Sequence, residues 1–100
     1  MNNYALTQET EKLIRRDHTM IVLDILRVLS EKERRFTQIL YKSNLSCDRL
    51  KRYLAELMNA GLVVLSITPK LKTMYRLTDE GLNMYNQYAT FNDLLKGMRT

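Results

Sequence analysis

Cysteine, histidine, proline and glycine are all scarce in this chain, with one Cys, one His, one Pro and three Gly among 100 residues. A lone Cys47 excludes an internal disulfide framework and suits a reducing compartment, so a cytoplasmic location is expected. One Cys and one His18 cannot build a conventional zinc site, and neither a CxxC nor an HExxH pattern occurs. Gly61, Gly81 and Gly97 are scattered and form no glycine-rich phosphate loop. A hydrolytic triad would have to use the only histidine. No enzyme, metal, cofactor or small-molecule substrate is therefore expected. No apolar run approaches the roughly 20 residues of a membrane span. The opening MNNYALTQETEK lacks the basic-then-apolar order of a signal peptide. Repeats and Gly/Ser linkers are missing too, which leaves one domain of ordinary size with a modest core.

What the chain does have is a localised charge. The net charge is +5. Between residues 42 and 76 lie Lys42, Arg49, Lys51, Arg52, Lys70, Lys72 and Arg76, against Asp48 and Glu56. Seven bases minus two acids gives +5, and the rest of the chain, with nine of each, sums to zero. A basic surface confined to one segment is the electrostatic footprint of nucleic-acid binding, although a solvated face tuned for solubility would carry it as well.

Apolar periodicity supplies the scaffold. In DHTMIVLDILRVLS, Ile21, Val22, Ile25, Val28 and Leu29 recur on one helical arc, with Asp17, Asp24 and Arg27 opposite. Met20 and Leu23 fall outside the arc, and residues 4–16 either extend this helix backward through Leu13 and Ile14 or fray. SEKERR reads as a polar connection, and FTQILYK as a short second helix burying Phe36, Ile39 and Leu40. A third helix follows the Ser43–Asn44 turn. Ser46 is its N-cap, Asp48 lies in its first turn, Leu45 staples toward Leu50, and Gly61 ends it. Its core face is Leu50, Tyr53, Leu54, Leu57 and Met58. Asp48, Arg52, Ala55 and Asn59 lie opposite, with Lys51 on the flank. LVVLSIT, PKLK and TMYRLT then make a β-hairpin with Lys70 and Lys72 at its tip. Thr78 caps a last helix that has Asp79 and Glu80 in its first turn.

The expected fold is mainly α with a β-hairpin wing, a winged helix-turn-helix over residues 17–78. An extension (1–16) precedes it and a C-terminal helix (79–100) follows. In that arrangement the third helix enters the DNA major groove and the wing reaches neighbouring phosphates or the minor groove. The residues expected at double-stranded DNA are Lys42, Ser46, Arg49, Lys51, Arg52, Lys70 and Lys72. Arg52 stands four residues after Asp48 and could be held in a surface ion pair, whereas Lys51 has no such neighbour. Cys47 reads as a small buried hydrophobe, and His18 as a packing residue at a helix start.

The last helix carries two stripes. Leu82, Tyr85 and Ala89 suit the closing of the core. Met84, Tyr88, Phe91, Leu95 and Met98, spaced four, three, four and three, form an a/d seam over about two heptads. Soluble monomers avoid such a strip in solvent, and the same helix of a second copy would cover it. The alternative is that this helix folds back on the first, using Met20 and Leu23.

Residues 15 to about 95, most specifically YKSNLSCDRLKRYLAELMNAGLV and RLTDEG, resemble the ten-a chromatin family of small archaeal winged-helix proteins. The resemblance implies a homodimer whose C-terminal helices form an antiparallel coiled coil, and an abundant architectural protein of the nucleoid. By position it implies that Ser46 to Arg52 begin the recognition helix, that Lys70 to Lys72 are the wing, and that Met84 to Met98 are the dimer seam. Pro69 in the wing, Asp48 on the reading face and ten Asn and Gln residues depart from the pattern. The leading expectation is a chromatin protein binding mostly through the phosphate backbone with little sequence preference. A site-specific archaeal transcription regulator of the same fold is the runner-up, and a protein-interaction module the reading from another class.

Overall fold

The computed structural model describes residues 18–99. The extension over residues 1–16, the backward continuation of the first helix and Asp17 lie outside the described residues. Helix α1 spans His18–Glu31, α2 Phe36–Ser43 and α3 Cys47–Asn59; strands β1 (Val63–Ile67) and β2 (Thr73–Leu77) follow, then helix α4 (Asp79–Arg99). This is a winged helix fold of four helices and a two-stranded antiparallel hairpin, as expected from the sequence.

Helix α1 is the central post. It packs against α2, β2 and α4 and buries Ile21, Ile25, Leu26, Val28 and Leu29. Leu26, outside the expected arc, is fully buried because neighbours approach α1 from several sides. Ile39 of α2 and Leu50, Leu54 and Leu57 of α3 complete the core with Leu62 and Val63. Phe36 and Leu40 are only partly buried against it, and the Phe36 ring is tilted against Tyr75 with centroids 6.5 Å apart.

The SEKERR connection does more than the expected polar linker. Arg34 is 7% exposed and forms an antiparallel bridge with β2, donating its N–H to the Tyr75 carbonyl at 2.9 Å and accepting from the Tyr75 N–H at 2.7 Å. Its guanidinium is satisfied by the Val28 carbonyl at 3.4 Å and by Glu31 at 2.5 Å. Arginine can be buried this way because its stem is apolar and its head finds acceptors.

Both ends of α3 follow from local chemistry. The Ser46 hydroxyl accepts from the Arg49 N–H at 3.3 Å, satisfying one of the orphan donors of the first turn. At the other end Gly61 takes φ 79°. Its N–H donates to the Met58 carbonyl and that of Leu62 to the Leu57 carbonyl, a Schellman stop.

The hairpin pairs Val63 with Leu77, Leu65 with Tyr75 and Ile67 with Thr73 on one face. That face is buried at its root, where Val63 is 1% exposed, and open at its tip, where Ile67 is 70% exposed. The loop is closed by Thr68, whose N–H donates to the Lys72 carbonyl and whose carbonyl accepts from the Leu71 N–H, both at 2.8 Å. Leu71 takes φ 61°, a left-handed slot that costs a residue with a Cβ about 1–2 kcal/mol and normally falls to Gly or Asn.

Thr78 joins the hairpin to α4. Its hydroxyl donates to the Gly61 carbonyl at 2.7 Å and accepts from the Gly81 N–H at 3.0 Å, while its own N–H donates to the Leu62 carbonyl. Gly81 sits so close to this segment that an added Cβ would collide with the Leu62 carbonyl oxygen. Gly81→Ala should therefore lower stability by about 1–3 kcal/mol through overpacking. Urea unfolding should show this as a lower midpoint at unchanged slope. Gly61→Ala, which meets only its positive φ, should cost less than Gly81→Ala in the same measurement.

Candidate nucleic-acid interface

The turn between α2 and α3 spans three residues. Asn44 adopts the left-handed conformation at φ 57°, ψ 42°, and its N–H donates to the Leu40 carbonyl. Leu45 packs partly into the core, and Ser46 caps α3. Three apolar anchors then fix the helix: Leu50, Leu54 and Leu57 are all buried. Everything opposite them is presented outward.

The outward surface divides into a crest and two flanks. Asp48, Arg52, Ala55 and Asn59, spaced four, three and four, run along the crest and are all exposed. Lys51 stands on one flank. Arg49 stands on the other, where it lines a hollow of about 210 Å³ with Arg52, Tyr53, Glu56 and His18. Asp48 and Arg52 form no ion pair among the described residues, so the anticipated surface pairing does not occupy Arg52. Lys42 is exposed at the C-terminal end of α2, and Lys70 and Lys72 are exposed together at the hairpin tip. Of the residues expected at DNA, Arg49 and Arg52 share one hollow and the two lysines share the wing.

Two individual expectations need correction. Cys47 is exposed, because the first turn of α3 overhangs the core although helical spacing places it beside the buried face. His18 does begin α1, but its side chain is 64% exposed. Its ring lies 5.1 Å from that of Tyr53 at a 39° tilt, and its Nε2 lies 3.9 Å from Glu56. Tyr53 itself is partly buried against the core, as expected. Tyr41, not among the residues expected at DNA, is 89% exposed on α2 beside Lys42. The core-facing positions 36, 39 and 40 already place residue 41 on the outer side of that helix.

On α4, Tyr85 packs against the core and Ala89 is half-buried, but Leu82 is 42% exposed and does not close it. The first turn instead sits on Leu62 through Gly81, which swings residue 82 outward. The seam residues Met84, Phe91, Leu95 and Met98 are exposed and Tyr88 is half-buried. Leu94, which lies off the seam, is exposed beside them. Helix α4 packs along α1, yet Met84, Phe91, Leu95 and Met98 stay exposed, so α1 does not cover the strip in the way the fold-back alternative requires.

A family model described as winged helix-turn-helix matches residues 15–96. The chain belongs to that family. It is a winged-helix DNA-binding domain, and the match is coarser than the ten-a resemblance. H. salinarum RosR superposes with a TM-score of 0.68 at 30% identity, over 77% of this chain and 76% of that one. ZitR of Lactococcus lactis, as a double mutant, has a TM-score of 0.73 at 18% identity over 80% of this chain. The match spans only 56% of the ZitR chain. The adhesin competence repressor AdcR of Streptococcus pyogenes has a TM-score of 0.71 at 14% identity, over 98% of this chain and 74% of its own. The latter two likenesses speak for the fold alone. No curated protein matches the chain. No helix among the described residues is long and apolar enough to cross a membrane.

Replacing Lys51 and Arg52 together by Ala should weaken binding to duplex DNA. It should also lower the slope of log K against log salt by up to about 1.8 if each contacts a phosphate. Fluorescence anisotropy between low and physiological salt checks both.

Proposed function

We propose that the protein is a site-specific transcription regulator that binds duplex DNA as a homodimer, with α3 in the major groove and the hairpin as its wing. The observation that carries this reading is the crest of α3. Its exposed side chains are of types that read base edges: arginine for guanine, asparagine for adenine, aspartate for the cytosine amino group and alanine for the thymine methyl. A protein that only coats the phosphate backbone gains from lysine and arginine there and loses from Asp48. Lys42, Arg49, Lys51, Lys70 and Lys72 then supply backbone contacts, with Ser46 bringing the first turn of α3 to the DNA.

The architectural reading, a nucleoid protein with little sequence preference, is favoured by one observation, the +5 charge concentrated between residues 42 and 76. Selection of bound sequences from a random pool, followed by competition against bulk DNA, separates the two. A regulator should prefer its selected site by roughly 10³-fold or more. A ratio near one would return the protein to the chromatin class. Absence of salt-dependent binding to any duplex would leave the protein-interaction module.

In this reading the segment 79–100 is the dimerising element, with its strip of Met84, Tyr88, Phe91, Leu95 and Met98 covered by the same strip of a second copy. An antiparallel pairing would set the two DNA-binding heads at opposite ends of a rod. Support comes from the separation of this strip from the core face of the same helix. Substituting Ser for both Phe91 and Leu95 should convert a dimer into a monomer or an aggregate in sedimentation equilibrium. An unchanged dimer would remove the strip from the interface.

A further inference from the structure

The large exposed apolar side chains of the described residues gather mainly in two places, the α4 strip and the wing. The wing group has no counterpart in the functional reading so far. Leu71 is 84% exposed and Ile67 70% exposed, and Pro69 at the same tip is exposed as well. Leu71 lies between Lys70 and Lys72 and Pro69 directly precedes Lys70, with Ile67 at the end of β1. Leu71 occupies the left-handed slot of the three-residue loop at φ 61°, where glycine would fold more easily. Among the described residues nothing in the core covers Leu71. The chain thus holds an exposed leucine in the closing loop of a basic hairpin.

A basic tip with an apolar point matches one surface in particular. The minor groove of B-DNA, about 6 Å wide, has phosphates on both lips and stacked base pairs at its floor. Lysines can reach the lips while a leucine, isoleucine or proline enters the stack, the residue types that serve as wedges in minor-groove proteins. The geometry points to Leu71, backed by Ile67, as an apolar wedge that the wing inserts at a base-pair step from the minor groove, partly unstacking it and bending the duplex. This inference rests on the DNA-binding reading and adds a residue and a deformation to it. It also gives specificity a second source, because pyrimidine–purine steps unstack and kink most easily.

The test uses the full chain and a duplex of about 20 base pairs, the scale of a bent site, carrying a central TA step and donor and acceptor dyes at its ends. Leu71→Gly suits the left-handed slot and should melt no lower than wild type; Leu71→Asn, also tolerated there, is the second variant. Wild type at saturation should raise the energy transfer, as the duplex ends approach. Both Leu71 variants should bind more weakly by about tenfold, because the apolar side chain that wild type removes from water on binding is absent. At saturation they should leave the transfer near its free-duplex value. A Lys70→Ala/Lys72→Ala variant should lose affinity and salt dependence yet still bend DNA once saturated. Wild type that binds without any change in transfer, or a Leu71→Gly protein that bends DNA as wild type does, overturns the wedge and leaves the DNA-binding reading standing. Wild type that ignores the duplex even at low salt overturns both.

Discussion

One hydroxyl holds the two working helices in register. Thr78 donates to the carbonyl of Gly61, which ends α3, and accepts from Gly81 in the first turn of α4. The missing Cβ at Gly81 lets α4 approach the Leu62 carbonyl closely enough for both bonds to form. The segment that terminates α3 is thereby the segment on which the long helix is founded. A small rotation at this junction would be carried along the whole of α4, about 30 Å at 1.5 Å per residue. In the proposed dimer, the separation and tilt of the two DNA-binding heads depend on this junction more than on any contact inside the seam. The wing depends on it too, because the hairpin enters and leaves the domain between Leu62 and Thr78.

In the proposed regulator, helix α3 separates affinity from discrimination. Its crest carries a carboxylate, a guanidinium, a methyl group and a carboxamide, while further positive charge stands on the flanks at Lys51 and Arg49. The carboxylate lowers attraction to any phosphate backbone, while in the first turn it complements the positive end of the helix dipole. On one flank the His18 ring lies 5.1 Å from that of Tyr53, beside the hollow that Arg49, Arg52 and Glu56 also line.

Much of this was legible in the sequence because the relevant signals are local. The Ser46 cap, the Gly61 stop, the alternating hairpin and the Thr78 cap each act within a few residues and recur at the expected places. The signals that failed are those with no period to detect. Arg34 pairs with Tyr75, far along the chain, through a single bridge, and nothing in SEKERR announces a strand. Cys47 and Leu82 have the right helical phase for burial, yet each stands where its helix overhangs or turns away from the core. Leu26 has the opposite history, since a helix covered from several sides has little of a polar face to define. At the wing, PKLK was readable as a turn, but which residue would occupy the left-handed position was not. For the site, charge and spacing located the helix and the tip, and the spacing of α2 also carried a signal for Tyr41, whereas the exposure of Leu71 emerged only with the three-dimensional arrangement.

The Arg34–Tyr75 bridge has a bearing on solubility. Strand β2 is flanked on both sides at Tyr75, by Leu65 of β1 and by Arg34, and the Arg34 bridge takes both the N–H and the carbonyl of Tyr75. The outer edge of the small sheet is therefore β1. It is only five residues long and runs into Pro69, a residue without an N–H to offer a neighbouring strand. A chain with this much apolar surface on its last helix and its wing thus gives little template for edge-to-edge stacking between copies. In the proposed dimer, self-association then runs through helical surfaces and not through the open-ended pairing that strand edges allow.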